Sequence, residues 1–339
     1  MDIVKARNVE EALHAGTKMI MELGVPRDSR NGPVMVMPYP VTTFYENPKE
    51  RVIFLPERDA NPFFHFMECL WMMAGRNDVE WISRFSQNIS NFSDDGVTFH
   101  GAYGHRWRNA ESLEETTDGY NLGVLDQLET IANLLRNNPD DRRTVLQMWN
   151  ADLDLGKEGK DFPCNLTITF RVNTIGHLDM TVFNRSNDMV WGAYGANAVH
   201  MSFLQEVMAS WIGVPVGNYW QITTNFHAYM NTLEKVKFLQ DKPYEPTNYE
   251  LDRVEPYPIV NSPIETWFGE LEVFMSEGAS ALGYSDIFFR KTAVPMLLSW
   301  NHWKNKEDPD HMNKAITAAN DILATDWRLA CLEWLERRA

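Results

Sequence analysis

Apolar side chains recur at helical spacing in three segments of the chain. Residues 8–23 read as an opening helix, and residues 61–75 carry large apolar side chains at helical positions before Gly75. Over residues 198–211 the apolar positions again fall three or four apart, and Gly213 is placed to end that helix. The pattern therefore predicts three helices in the first two thirds of the chain.

Shorter apolar runs and period-two alternation predict strands between these helices. The alternation is clearest where Leu166, Ile168 and Phe170 alternate with more polar residues, as in a half-buried strand. The polar segment 26–32 is predicted to be a loop. The predicted strands are residues 51–55, 144–149, 165–172 and 180–184.

The pattern changes after residue 239. Residues 241–263 contain several prolines and tyrosines and predict a linker, and the remaining residues carry tryptophan and leucine at positions typical of helices. We therefore predict a catalytic domain over residues 1–239, followed over 240–339 by a linker and a helical C-terminal extension packed on the same domain.

The composition excludes several classes of protein. Of the 339 residues, 44% are hydrophobic and 23% charged, which argues against disorder. A formal net charge of -16 argues against a general nucleic-acid surface, so an anionic substrate would need a local arginine cluster. No apolar stretch is long enough to span a membrane, and the N-terminus is charged where a signal peptide is apolar. We expect a cytoplasmic protein with no membrane or nucleic-acid partner.

The three cysteines are candidates for chemistry because of their number and spacing. Cys69, Cys164 and Cys331 are odd in number and far apart, which fits neither a disulfide framework nor a zinc site. No metal site is predicted, and one cysteine is left as a candidate reactive thiol. The alternative is that all three are buried structural residues.

Several short motifs in a fixed order carry a resemblance to a known family. Asp161–Asn165 contains the proline–cysteine pair, Asn184–Asp188 contains an Arg-Ser-x-Asp motif, and Asn225–Tyr229 contains a His-x-Tyr pair. Upstream, in the same order, are Arg30, Glu68, Tyr103-Gly104 and Arg142-Arg143. Together these residues resemble the thymidylate synthase family over roughly residues 10–238. The resemblance implies an α+β fold: a large mixed sheet with covering helices, dimerising sheet to sheet.

The resemblance implies that Cys164 is a covalent nucleophile. Carbon 5 of a pyrimidine reacts with an electrophile only after a thiolate has added to carbon 6 and made the ring enolate-like. A reactive thiolate needs nearby positive charge to hold its pKa down, and Arg185 is the expected source. Cys69 and Cys331 lie in apolar helical contexts and are interpreted as structural.

Three further catalytic residues follow from the resemblance. Glu68 would relay protons to the base, since burial on an apolar helix favours its protonated form; the alternative is an ordinary helix-surface glutamate. Tyr103 matches a tyrosine near the family's cysteine, and Asp188 ends the Arg-Ser-x-Asp motif.

The resemblance also implies a set of substrate-binding residues. Arginine suits a phosphate because its planar fork donates two hydrogen bonds and carries a permanent charge. Residues 142–143 would reach in from the partner subunit, so the site would require a homodimer; the alternative is a surface salt-bridge cluster with the aspartates at 140–141. The implied phosphate ligands are Arg30, Arg185 and Ser186, with Arg142 and Arg143 from the partner, and the implied sugar ligands are His227 and Tyr229. Either sugar ligand taken alone would more often be a satisfied polar side chain at a strand edge.

Asn197 is the implied base-recognition residue, at a spacing one residue longer than usual in the family. Its amide can donate to oxygen 4 and accept from nitrogen 3 of uracil. A flipped amide presents the opposite order and fits cytosine, so the sequence leaves both bases open.

Departures from the synthase pattern bear on the product. Asn165 stands where synthases usually carry histidine, Asn225 stands where they usually carry aspartate, and residues 89–93 lack the synthase tryptophan. The synthase tail that closes over folate is not recognisable in residues 336–339. Polar residues near carbon 5 would admit water to the exocyclic methylene, which favours a hydroxymethyl product over a methyl product.

The predicted activity is therefore 5-hydroxymethylation of dUMP or dCMP with 5,10-methylenetetrahydrofolate. By resemblance, a modified nucleotide of this kind suggests a bacteriophage origin. Thymidylate synthase activity is the close alternative. A catalytically inactive nucleotide-binding relative is the remote one.

Overall fold

Ten strands and twelve helices make up the described chain. A computed structural model describes residues 2–116, 119–281 and 283–339. The strands are β1 Asp2–Ala6, β2 Val25–Ser29, β3 Gly32–Val36, β4 Val41–Tyr45, β5 Ala110–Thr116, β6 Gly119–Leu125, β7 Val145–Gln147, β8 Asn165–Val172, β9 Leu178–Asp188 and β10 Val216–Tyr229. The helices are α1 Val9–Leu23, α2 Pro62–Met73, α3 Val79–Ser83, α4 Tyr103–Arg108, α5 Gln127–Asn137, α6 Ala151–Asp154, α7 Asn197–Ile212, α8 Met230–Val236, α9 Ile264–Glu277, α10 Val294–Lys304, α11 His311–Asn320 and α12 Thr325–Glu336.

Eight strands form one mixed sheet. Its order is β1–β4–β10–β9–β8–β7, and β3 continues alongside the end of the long strand β10, with β2 on its outer side. The pairs β1–β4 and β10–β9 are parallel, whereas β4–β10, β9–β8 and β8–β7 are antiparallel. β5 and β6 form a separate hairpin. The large mixed sheet with covering helices that the sequence implied is confirmed.

Local capping explains where the predicted helices begin and end. Asn8 accepts a hydrogen bond from the Glu11 amide at the start of α1, and Asn61 accepts one from the Phe64 amide at the start of α2. α7 ends at Gly213, whose φ of 87° lies in the left-handed region that favours glycine. The three predicted helices are therefore present, with ends within two residues of their predicted positions.

Two predictions of local structure were wrong. Residues 51–55 form no strand, because the Phe54 and Leu55 amides donate to the Glu10 carboxylate at 2.7 and 2.6 Å instead of to a neighbouring strand. The predicted loop at 26–32 is the β2–β3 hairpin, with its turn at residues 30–31.

Helices cover the sheet and are themselves covered by the C-terminal helices. α7 is buried along nearly its whole length between the sheet and α2. The outer face of α2 meets the C-terminal part of the chain, where Phe63 packs on Trp300 and Trp334. The buried Tyr249 hydroxyl donates to Asp326 at 3.0 Å, within residues 240–339. Among the described residues, every helix is too short or too polar to cross a membrane. The boundary at residue 239 stays a prediction.

Candidate active site

Strand register brings motifs from distant parts of the chain to one end of the sheet. Cys164 directly precedes β8, and its carbonyl accepts a hydrogen bond from the Arg185 amide of β9 at 3.0 Å. In the β9–β10 pair, Ser186 lies opposite Asn225 and Asp188 lies opposite His227. The three sequence motifs are therefore neighbours in space.

Tyr103 fixes the backbone around the cysteine. Its hydroxyl accepts hydrogen bonds from the amides of Cys164 at 3.2 Å and Asn165 at 3.4 Å. Burial, and then the neighbouring Cys164 thiolate, raise the pKa of the Tyr103 phenol well above its usual range, so the phenol stays protonated at neutral pH. Tyr103 thus positions the loop as a neutral group.

The pKa of the Cys164 thiol is raised from its ordinary value, which differs from the expectation that arginine would hold it down. Burial is the largest cause and disfavours the thiolate. Arg185 opposes this effect, the Asp161 carboxylate adds to it, and Arg30 opposes it again. The charge of Arg185 therefore acts in the expected direction but is outweighed by burial.

Arg185 also holds the loop that carries the nucleophile. Its Nε donates to the carbonyl of Pro163 at 2.9 Å, and its Nη2 donates to the carbonyl of Phe162 at 3.1 Å. The guanidinium lies 5.8 Å from the centre of the Trp149 ring. One side chain therefore supplies both charge and position to Cys164.

Two adjoining cavities collect most of the predicted substrate-binding residues. One, of about 290 Å³, is lined by Arg30, Arg185 and Lys160 among others. The other, of about 440 Å³, is lined by Arg30, Ser186, His227 and Tyr229 among others. Because Arg30 lines both cavities, the phosphate-binding and sugar-binding candidates form one continuous surface.

Glu68 is paired with a histidine that the sequence did not single out. Its Oε2 lies 3.1 Å from Nε2 of His200, which projects from α7. The His200 side chain is buried, whereas the Glu68 side chain keeps 17% of its surface exposed. Glu68 is therefore mostly buried beside His200 and does not lie on an open helix surface.

Asp188 and Asn197 bracket an irregular segment between β9 and α7. The Asp188 carboxylate accepts hydrogen bonds from the amides of Trp191 at 2.5 Å and Tyr229 at 3.1 Å, and burial raises the pKa of this carboxyl. Trp191 is half exposed, and the Arg58 guanidinium lies 4.4 Å from its ring centre. Asp188 thus orders the segment that leads to Asn197.

Arg142 and Arg143 lie apart from these cavities. Both are exposed, and Arg143 forms an ion pair with Asp141 at 2.5 Å. Neither lines the two cavities described above. Within the described part of this one subunit they are surface residues, so a role in the site depends on a second subunit.

The comparisons with known proteins agree with this arrangement. The model of the family described as thymidylate synthase matches residues 13–265. The chain belongs to the thymidylate synthase family. Members of this family use a folate cofactor.

Relatives within the thymidylate synthase family fall into two groups. A deoxyuridylate hydroxymethyltransferase of Pseudomonas phage M6 is 49% identical over the whole of this chain and 95% of its own length. One of Bacillus phage SP01 is 42% identical over 57% of this chain and 50% of its own length. A thymidylate synthase of Corynebacterium aurimucosum is 28% identical over 70% of this chain and 85% of its own length.

Proposed function

We propose that this member of the thymidylate synthase family transfers a hydroxymethyl group to carbon 5 of dUMP in the cytoplasm of a phage-infected host. The observation that carries the proposal is the 49% identity, over the whole chain, to a phage deoxyuridylate hydroxymethyltransferase. The thymidylate synthase of Corynebacterium aurimucosum is only 28% identical. The retained nucleophile loop, with Arg185 on the carbonyls beside Cys164, supports an active enzyme over an inactive relative.

Cys164 starts the reaction by adding its sulfur to carbon 6 of the uracil ring. The new S–C bond places an electron pair on carbon 5 and oxygen 4, and carbon 5 then attacks the one-carbon unit. Loss of the proton from carbon 5 expels tetrahydrofolate from the one-carbon unit and leaves an exocyclic methylene on the ring. Water adds to this methylene, and elimination of the Cys164 thiolate restores the double bond between carbons 5 and 6. The enzyme must therefore lower the barrier to sulfur addition, remove the proton from carbon 5 and admit water to the methylene.

The nucleotide is held by the residues that line the two adjoining cavities. Arg30, Arg185 and Ser186 supply charge and hydrogen bonds for the phosphate, and His227 and Tyr229 contact the sugar hydroxyl. The support for this assignment is the surface that these residues share through Arg30.

The remaining catalytic residues act on protons and position. Glu68 exchanges protons with the ring through water, and its carboxylate lies 3.1 Å from Nε2 of His200. Tyr103 holds the Cys164 loop, and Asp188 holds the segment that carries Trp191.

The proposed cofactor is 5,10-methylenetetrahydrofolate, which supplies a one-carbon unit at the oxidation level of formaldehyde. The Trp191 indole is half exposed, and the Arg58 guanidinium lies 4.4 Å from its ring centre. The exposed part of the indole offers an aromatic surface for a flat heteroaromatic ring. Trp191 directly precedes Gly192, where an added Cβ atom would lie 3.2 Å from Nδ2 of Asn197, so this surface lies near the proposed base-recognition residue.

Analysis of the products separates the two enzyme activities. Purified enzyme with dUMP and methylenetetrahydrofolate is expected to give 5-hydroxymethyl-dUMP and tetrahydrofolate, because water and not hydride completes the reaction. Mass spectrometry of the nucleotide and absorbance of the folate are the measurements. Accumulation of dihydrofolate with dTMP would show a thymidylate synthase, and failure to release tritium from [5-³H]dUMP would show an inactive relative.

We propose further that the enzyme is a homodimer in which Arg142 and Arg143 bind the phosphate in the partner's site. Support comes from their exposure, and from the fact that neither lines the two cavities of its own subunit. A mixture of Cys164→Ser with the double variant Arg142→Ala/Arg143→Ala, refolded together, tests the arrangement.

Each hybrid dimer contains one complete site, formed by the cysteine of one subunit and the arginines of the other. Hybrids are half of a random mixture, so about a quarter of wild-type activity is expected. Each variant alone should be nearly inactive. A mixture no more active than the sum of its components would contradict a shared site.

A further inference from the structure

A continuous line of side-chain amides passes behind Asn197. Four of these side chains are almost completely buried: Asn165, Asn184, Asn187 and Gln221. We call them, with Asn197, the amide ladder. Its hydrogen bonds run from Asn184 Nδ2 to Asn165 Oδ1, from Asn165 Nδ2 to Asn197 Oδ1 at 3.3 Å, from Asn197 Nδ2 to Asn187 Oδ1 at 2.9 Å, from Asn187 Nδ2 to Gln221 Oε1 at 3.1 Å, and from Gln221 Nε2 to the Tyr219 hydroxyl at 2.8 Å.

Every bond of the amide ladder points in the same direction. At Asn197 the oxygen faces a donor on Asn165 and the nitrogen faces an acceptor on Asn187. Each amide group can make more bonds than this, because the oxygen has a second lone pair and the nitrogen a second hydrogen. Asn197 therefore keeps one acceptor and one donor, side by side, for a ligand.

Neighbouring amides prevent Asn197 from reversing alone. A flip of its amide would set its nitrogen against the Asn165 nitrogen and its oxygen against the Asn187 oxygen. In a buried position such mismatches leave polar groups unsatisfied. The order of donor and acceptor at Asn197 is therefore a property of the whole ladder.

The two ends of the amide ladder also favour the donor-to-acceptor direction that its hydrogen bonds have in the structure. Asn184 Oδ1 is a buried acceptor that has no hydrogen-bond partner among the described residues. Reversal of every amide would replace it with a buried, unpartnered NH₂ group, and unpartnered donors are rarer in proteins than under-satisfied acceptors. The Tyr219 hydroxyl at the other end can donate or accept and opposes neither direction.

Close packing keeps the ladder intact beside the base-recognition residue. A Cβ atom on residue 192 would overlap Asn187 Oδ1 and lie 3.2 Å from Asn197 Nδ2. Gly192 therefore lets the chain pass directly against the bond between Asn187 and Asn197.

We propose that the amide ladder sets the order of donor and acceptor that Asn197 presents, and that Asn165, Asn184 and Asn187 are thereby positioning residues for uracil over cytosine. Uracil has an acceptor at position 4 beside an N3–H donor, whereas cytosine has a 4-amino donor beside an N3 acceptor. The two bases need opposite orders. This inference rests on the proposed function, in which Asn197 meets the base of dUMP.

The same substitution, Asn to Asp, has different expected effects at different positions of the amide ladder. In Asn187→Asp the carboxylate still accepts the hydrogen bond from Asn197. Only the side-chain amide of Gln221 reverses, so that its nitrogen donates to the second carboxylate oxygen. In Asn165→Asp the carboxylate faces the Asn197 oxygen and drives that amide to reverse. In Asn184→Asp, a residue that has no hydrogen bond to Asn197 in the described structure, the carboxylate reverses Asn165 and through it Asn197.

The measured quantity is the ratio of kcat/KM for dUMP to kcat/KM for dCMP. The rate with each nucleotide is measured as tritium release from its carbon 5. Because both nucleotides use the same active enzyme, the ratio does not depend on how much of a variant folds. We expect a fall of at least about tenfold in Asn165→Asp and Asn184→Asp, and a change of less than about threefold in Asn187→Asp.

A pH series adds a signature that a merely structural role would not produce. The buried carboxyl of Asn165→Asp takes up a proton at low pH and then donates to Asn197 as the amide did. Its ratio should therefore approach the wild-type ratio at about pH 6 and fall as the pH rises towards about 9.

The role of the amide ladder would be overturned if the three Asp variants had the same dUMP-to-dCMP ratio of kcat/KM at all pH values. If the wild type were active on dUMP in the same experiment, the proposed function would stand. A wild type that acts on neither nucleotide would overturn the proposed function and this inference with it.

Discussion

Replacement of Cys164 with serine is expected to lower tritium release from [5-³H]dUMP by at least ~10⁴-fold, since loss of a covalent nucleophile removes the step on which all later steps depend. A serine hydroxyl in the same position forms an alkoxide far less readily than cysteine forms a thiolate. The backbone bonds of residue 164 to Tyr103 and Arg185 do not involve the sulfur, so nucleotide binding should persist. Release kinetics and equilibrium binding of dUMP are the two measurements.

Cys331→Ala is the matched control for the nucleophile. Cys331 is a free and completely buried thiol in α12, and burial raises its pKa well above the usual range. The variant should lose stability through a small cavity but keep its rate of tritium release per folded molecule. Comparable losses in Cys331→Ala and Cys164→Ser would contradict the assignment of the nucleophile.

The proximity of the sequence motifs could be predicted from the sequence, because they lie on strands of predictable register. Residues 165–172 alternate in polarity and form β8 as predicted. Once that strand is placed, Cys164 must lie at its start, and the motif containing Arg185 lies on the neighbouring strand. Such features depend on short-range pattern and on spacing along the chain, which a sequence displays directly.

Local pattern failed where a distant side chain or solvent decides the structure. Residues 51–55 have the composition of a strand, yet the Glu10 carboxylate takes two of their amides. Every residue of β2 is exposed, so this strand carries no alternation that a sequence could show. The raised pKa of Cys164 was equally invisible, because burial depends on packing from the whole fold.

The amide ladder shows the same limit for function. Its members come from the start of β8, the end of β9, the start of α7 and the middle of β10, and no short motif contains them all. Asn187 occupies the variable position of the Arg-Ser-x-Asp motif, which suggests no role by itself. From its position in the sequence, Asn165 was expected to help admit water, but its side chain is buried and its amide hydrogen-bonds to Asn184 and Asn197.

Arg185→Gln is expected to be the second most damaging substitution. Burial already raises the pKa of Cys164, and Arg185 is the largest influence that opposes the rise, so its removal raises that pKa further. A higher pKa means a smaller fraction of thiolate at neutral pH. Tritium release at pH 7 should fall by about 10³-fold or more through lost charge, lost phosphate binding and a loosened loop. The rising limb of the rate against pH should move to higher pH.

Two further variants separate the charge of Arg185 from its hydrogen bonds. Arg185→Lys keeps a positive charge but lacks the planar fork that binds the carbonyls of Phe162 and Pro163, so it should lose rate while the rising limb of its pH profile stays near that of the wild type. Arg30→Gln removes the weaker of the two arginine effects on the thiol, so it should raise KM for dUMP and move the rising limb to higher pH by less than Arg185→Gln does. If Arg185→Gln lost activity without any displacement of the limb, Arg185 would bind phosphate and position the loop without stabilising the thiolate.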